Sequence, residues 1–314
     1  MTKDHKVLPI LSGIMTSSIF GFSFLFTKEA LNTVDAVDLL GFRFGIAALV
    51  LIILQQTKVI KINYKGKNIK ALLVLSLFQP VLYFIFETVG VSKTSTSEAG
   101  IMIALVPVVV TCFAAIFLKE IPSKSQLFFI FTSLAGVLCI IFMKDQGKES
   151  GSFIGILYLA GAVLCAATLN ILSRKLSTSF KPVEITFCMM WVGAIFFNGV
   201  AFVKHGIAGD IMGYFTSLGD RKIWVAILYL GILSSIVAFF MVNYTLSKLE
   251  ASRAAIFTNL TTVISILAGV LIRKEPFSIY QFIGGCLILL GVWGTNYYGA
   301  KKEKIDQLRD IMPQ

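Results

Sequence analysis

The second half of this 314-residue chain repeats the first at a fixed offset of 155 positions, with no gap. The stretch from Ser97 to Val137 realigns with Ser252 to Val292: Ser97 falls on Ser252, Leu105 on Leu260, Lys119-Glu120 on Lys274-Glu275, Ser123 on Ser278, Gln126 on Gln281 and Gly136-Val137 on Gly291-Val292. Apolar windows of roughly 20 residues, each able to cross a hydrocarbon layer of about 30 Å, fall at 7–27, 37–56, 71–91, 96–118, 125–143, 153–173, 183–203, 223–245, 253–272 and 278–298. Five of these ten spans precede the repeat boundary and five follow it. A repeat with an odd number of spans leaves its copy upside down, the arrangement that lets one central site open alternately to either side of a bilayer. The expected fold is an all-α integral membrane protein, with two inverted five-helix repeats around a central cavity. Residues 1–148 form the first repeat, 149–300 the second and 301–314 a charged tail that reads as an interfacial cap.

Composition agrees with this plan. Apolar residues make up 56% of the chain and charged residues only 14%, against about 25% charged in soluble domains. The net charge of +11 could point to nucleic acid, but its distribution points to a membrane. If the N-terminus is cytoplasmic, Lys and Arg concentrate in the inside segments, above all at Lys58, Lys61, Lys65, Lys67 and Lys70 and in the tail. The positive-inside rule then places both termini in the cytoplasm of a multi-pass protein of the cell membrane. The first apolar stretch is too long for a signal-peptide core and is kept as span one. The five cysteines lie inside apolar spans and read as reduced packing residues.

Polar groups inside spans are costly and face the bundle or a wet cavity, so they mark candidate sites. In span one, Ser12, Thr16, Phe20, Ser23 and Thr27 share a stripe, with Gly13, Ser17 and Gly21 beside it; close helix packing and cavity lining both fit. In span three, Ser76, Gln79, Tyr83 and Glu87 recur at helical spacing beside Pro80, which loosens the backbone. Arg43 in span two sits at a depth like that of Glu87. It either ties helices together through an ion pair with Glu87 or Glu98, or contacts substrate. Asn170, Trp191, Asn243, Tyr244 and Asn259 complete the cavity candidates. Spans four and nine carry matching small or polar stripes, in which Gly100 and Pro107 correspond to Ala255 and Thr262, the candidate gating positions.

Both histidines, His5 and His205, lie outside the spans, and no Gly-rich loop ends in Lys-Ser or Lys-Thr. No metal site, cofactor or ATP-driven step is therefore expected. The absence of a catalytic constellation disfavours a membrane-embedded enzyme, and that of a signalling domain a sensor.

Over nearly its whole length the chain resembles the ten-helix EamA-type branch of the drug/metabolite transporter superfamily. The matching segments are Phe20-Gly21-Phe22-Ser23 through Lys28, Gly41-Phe42-Arg43-Phe44, Glu98-Ala99 through Leu105-Val106-Pro107, Lys119-Glu120, Leu169 to Arg174, and Glu275 with Gly291-Val292. It departs from the family pattern at Phe20, where Trp is usual, and at Thr262, where Pro is usual. The resemblance implies transport of small metabolites by alternating access. Export of amphipathic molecules, amino acids or their derivatives first among them, is the leading expectation, and uptake of a small organic cation the alternative. The expected partners are a small-molecule substrate and the lipid bilayer, with no nucleic acid; a monomer is allowed.

Overall fold

The computed structural model describes residues 4–117, 122–142, 153–249, 254 and 257–311. All regular elements among them are helical. Among the described residues, eight helices are long and apolar enough to cross a membrane: α1 (Leu8–Ala30), α2 (Ala36–Gln56), α3 (Ile69–Lys93), α4 (Thr96–Phe113), α6 (Phe153–Leu176), α7 (Pro182–Ile207), α8 (Ile223–Lys248) and α10 (Ile279–Gly299). Two shorter apolar helices, α5 (Lys124–Ile140) and α9 (Thr258–Ile272), lie between them.

Helix starts are written in the local sequence. Asp35 accepts a hydrogen bond from the Val37 amide at the start of α2. Ser95 and Glu98 close a reciprocal capping box on α4. The repeat pairs singled out in the sequence prove to be one device used twice. Gln126 Oε1 accepts from the Ser123 amide at 2.9 Å on α5, and Gln281 Oε1 accepts from the Ser278 amide at 2.9 Å on α10.

Helix ends are tied with the same economy. Lys28, in the last turn of α1, donates to the carbonyls of Val91, Ser92 and Thr94 at the C-terminus of α3. Arg174, in the last turn of α6, donates to the carbonyls of Leu246 and Ser247 at the C-terminus of α8. Val91 and Ser92 are the repeat equivalents of Leu246 and Ser247, so a cation caps the negative end of the third helix in each half.

The third helix of each half is also irregular at the same depth. In α3, residues Leu77–Leu82 form a π-type segment with Gln79 in extended geometry (φ −146°, ψ 112°) just before Pro80, whose missing N–H and ring break the ladder. In α8 the π-type segment is Tyr229–Ala238. The backbone is thus interrupted within the stripe from Ser76 to Glu87, beside the Pro80 that the sequence marks. Ser76, before the break, bonds back to the Leu72 carbonyl, while Gln79, Tyr83 and Glu87 line the central cavity.

Packing pairs α2 with α7, α4 with α9 and α5 with α10, while α1 packs on α8 as α3 packs on α6. The α5–α10 contact brings backbones together: a Cβ on Gly136 would lie 2.6 Å from the Gly284 carbonyl oxygen, and Ser133 donates to the Ile288 carbonyl. The segment after α7 holds a short helix, Ile211–Thr216, whose buried Tyr214 stacks on Phe42 and donates to Asn198. Burial pushes the Tyr214 phenol above its ordinary value. The last helix runs unbroken from Ile279 to Ile311, into the tail; its Lys, Glu and Leu residues favour continuation.

The close approach gives a test by contrast. Gly136→Ala is expected to destabilise by about 1–3 kcal/mol through overpacking against backbone. Gly199→Ala, on an exposed face of α7 with open space at its Cβ, is expected to stabilise by up to about 1 kcal/mol. Thermal unfolding of the purified protein in detergent measures both.

Candidate substrate cavity

A cavity of about 100 Å³ lies between α1, α2, α3, α4, α6, α8 and α9. Six of the sequence candidates line it: Ser17, Arg43, Gln79, Tyr83, Glu87 and Asn170. Phe20, Phe84 and Phe239 supply aromatic wall, and Thr16, Ser23, Thr258 and Thr261 further hydroxyls. Both stripes of α1 are used. Thr16, Phe20 and Ser23 of one stripe and Gly13 and Ser17 of the other line the cavity, while Gly13 also abuts the Phe257 ring and Gly21 abuts Ile264.

Arg43 is 2% exposed and is held by neutral groups. Its Nε donates to Ser235 Oγ and its Nη2 to Ser234 Oγ, each at 2.8 Å, and the guanidinium lies 4.2 Å from the centroid of the Phe84 ring. The π-type turns of α8 bring these two consecutive hydroxyls to one side chain. Among the described residues, neither of the two ion pairs considered for Arg43 forms. Glu98 is instead engaged by the Ser95 amide and by Gln281. Glu87 accepts only from Thr88 Oγ1, at 3.2 Å.

Two buried oxygens on the lining, Gln79 Oε1 and Thr16 Oγ1, have no hydrogen-bond partner among the described residues. Ser17 is spent on the carbonyls of Gly13 and Phe257, and the Asn170 amide nitrogen on the Ala166 carbonyl. The Tyr83 ring stands edge-on to Phe84.

The other four candidates lie off the cavity lining. Asn243 is fully buried and links three helices, accepting from Ser173 Oγ at 2.7 Å and donating to Thr186 Oγ1 at 3.0 Å. Tyr244 stacks on the exposed Phe240. Trp191 packs near Phe187 with its Nε1 unpartnered, and Asn259 Oδ1 is buried without a partner.

Two of the gating candidates, Gly100 and Thr262, meet at the α4–α9 crossing. Thr262 Oγ1 donates to the Gly100 carbonyl at 2.7 Å, and a Cβ on Gly100 would fall on Ser265 Oγ. Pro107 follows a helix break at Ala104-Leu105, whereas Thr262 sits inside the unbroken turn sequence of Thr258–Leu267. Ala255 lies outside the described residues.

The two ends of the bundle differ. The lining reaches Leu246, Ala254 and Phe257, at the end where α8 gives way to α9. At the opposite end a polar network ties the α3–α4 turn to its neighbours. Glu275 accepts from the amides of Thr96 and Ser97, Arg273 pairs with Glu29 and Glu275, and Lys28 holds the end of α3. Glu275 was legible only as a repeat position; its use as the cap of another helix needs three-dimensional proximity.

A family model described as the EamA-like transporter family matches residues 7–142 and 153–297. The chain belongs to the EamA-like transporter family. It is accordingly a multi-pass membrane transporter, not an enzyme. An uncharacterized transporter of Bacillus subtilis strain 168, YcxC, is 37% identical, with 97% of each chain covered. An uncharacterized transporter of Archaeoglobus fulgidus is 27% identical, covering 89% of this EamA chain and 95% of its own. A biotin transporter of Salmonella typhimurium is 21% identical over 89% of this chain and 90% of its own. A solved crystal structure 18% identical in sequence shares the fold, with a TM-score of 0.63 over 94% of this chain and 98% of that one.

The separation of Asn243 from the cavity has a measurable consequence. Asn243→Ala leaves Ser173 and Thr186 without their buried partner and is expected to cost about 1–3 kcal/mol of stability. Substrate affinity per folded molecule should stay unchanged. Thermal unfolding alongside ligand binding in detergent reads both.

Proposed function

We propose that this EamA-family protein moves small amphipathic metabolites, amino acids or their derivatives foremost, out across the cytoplasmic membrane by alternating access. The observation that carries the reading is the cavity itself. It sits between helices from both halves, is lined by charged and hydroxyl groups, and lies between one tied end and one end that the lining approaches. All ten apolar helices are taken to span the bilayer as two inverted five-helix repeats, with both termini in the cytoplasm. The pairing of α2 with α7, α4 with α9 and α5 with α10 supports that symmetry, as do the matched caps on α3 and α8. The α3–α4 end is then the outer mouth and the α8–α9 end the inner one.

Ser17, Arg43, Gln79, Tyr83, Glu87 and Asn170 are the residues proposed to meet substrate. Trp191, Asn243, Tyr244 and Asn259 act as packing and linking residues in this reading. Gly100, Pro107, Ala255 and Thr262 serve the crossing of α4 and α9, where the halves rock. Uptake of a small organic cation is the second reading, favoured by Glu87 among the Phe rings; the buried Arg43 in the same cavity speaks against it.

Counterflow in proteoliposomes with a panel of amino acids, organic cations and biotin tests the transport reading. Exchange of an amino acid or derivative is expected, and exchange of organic cations alone would replace it with the second reading. Orientation is tested by cysteine labelling on a background without native cysteines. A Cys at Lys61 should label only from the cytoplasmic side.

Gating has its own test. Lys28→Met removes the tie on α3, and Gly100→Trp wedges the α4–α9 crossing. Each should lengthen the distance between spin labels placed at the exposed Lys93 and Lys274, read by pulsed electron resonance. An unchanged distance in both variants would overturn the rocking model.

A further inference from the structure

The cavity holds a guanidinium and a carboxyl group that act on each other through space but make no direct ion pair. Arg43 is buried, and a buried guanidinium is costly unless an anion balances it. Its two serine partners supply hydrogen bonds but no charge. Glu87 is 2% exposed and receives one hydrogen bond, from a neighbouring hydroxyl. Among the described residues neither makes an ion pair, although both line the same cavity. The third unmet group is Gln79 Oε1, 4% exposed and unpartnered, on the same helix as Glu87 and two turns before it. An acceptor of this kind needs a donor, and burial makes its desolvation costly until one arrives.

Taken together, the cavity leaves guanidinium N–H groups without a direct anionic contact, and a carboxyl group and an amide oxygen without a cationic donor, among the described residues. Two separate ions could satisfy this, but the shared apolar wall of Phe20, Phe84 and Phe239 favours one molecule that carries both charges and an apolar body. We infer that Arg43 and Glu87 form a zwitterion clamp. Arg43 takes the carboxylate of a small α-amino-acid-like substrate, while Glu87 and Gln79 Oε1 take its ammonium group. The helix irregularities serve this geometry. The break at Gln79 keeps its amide and the Glu87 carboxylate at the cavity, and the π-type segment of α8 fixes the guanidinium through paired hydroxyls, leaving its remaining edge for a planar carboxylate. Asn243, Trp191 and Tyr244, the other polar candidates of α7 and α8, lie outside the clamp.

The inference rests on the proposed transport of amino acids, and the experiment separates the two. Wild-type protein in proteoliposomes is loaded with each of the twenty common amino acids, and counterflow is measured. For every amino acid that exchanges, its methyl ester, which lacks the carboxylate, and its N-acetyl form, which lacks the ammonium, are offered as competitors. Each derivative should compete at least about tenfold more weakly than its parent, since a charged hydrogen bond in a buried site is worth at least that.

The variants should cross over. Glu87→Gln should lose discrimination against the N-acetyl form and keep it against the ester, whereas Arg43→Gln should do the reverse. A merely structural role would weaken all three compounds alike. If esters or N-acetyl forms compete as well as their parents, transport stands and the clamp is overturned. If no amino acid or derivative exchanges, the amino-acid reading falls, and the clamp with it. The wild-type comparison decides even if a variant fails to fold.

Discussion

A guanidinium at the centre of an apolar bundle is the feature around which the rest of this molecule is arranged. Nothing in hydrocarbon can solvate it, so protein must. Ser234 and Ser235 approach from α8 and the Phe84 face from α3, which joins α2 to a helix from each half. The cost of this arrangement explains why α8 departs from regular geometry just there. A regular turn offers successive side chains about 100° apart, and the wider π-type turns relax that constraint. Gln79, in the equivalent segment of α3, lines the same cavity as Arg43, so both irregular segments serve the same small volume.

Around that centre, the bundle is held by polar groups that satisfy backbone at helix ends. Lys28 and Arg174 close the exposed carbonyls of α3 and α8, Glu275 closes the amides of α4, and the Ser-x-x-Gln boxes close α5 and α10. These contacts join elements far apart in sequence, yet each is a local bond that can open without breaking a helix. That makes them suited to a body whose halves move as units, because the rigid parts keep their internal hydrogen bonds while the joints exchange partners.

Much of this was legible in the chain. Long apolar windows, the 155-residue offset and the stripe of span three each rest on periodicity, which depends on neighbours in sequence. The family, the helical class and the cavity residues of α1, α2 and α3 followed from these signals. What failed were inferences about which distant group answers a polar side chain. Of the two roles open to Arg43, the direct ion pair with Glu87 or Glu98 does not form, because hydroxyls of α8 take its N–H groups. Asn243 and Tyr244 are polar residues in a span, and sequence cannot tell a linking amide or a lipid-side ring from a cavity wall. The threonines of α9 went unremarked as lining because hydroxyls that bond back within their own helix are common.

The unbroken run from Ile279 to Ile311 carries a consequence for how the protein is made. At about 1.5 Å per residue, such a helix exceeds the hydrocarbon thickness by more than half, so its final turns stand in water. Those turns carry Lys301, Lys302, Lys304 and Arg309, whose passage through the bilayer is prohibitive. The last helix therefore behaves as a keel: once it has entered, the finished bundle has one permitted orientation, and an inverted copy cannot arise by flipping after synthesis.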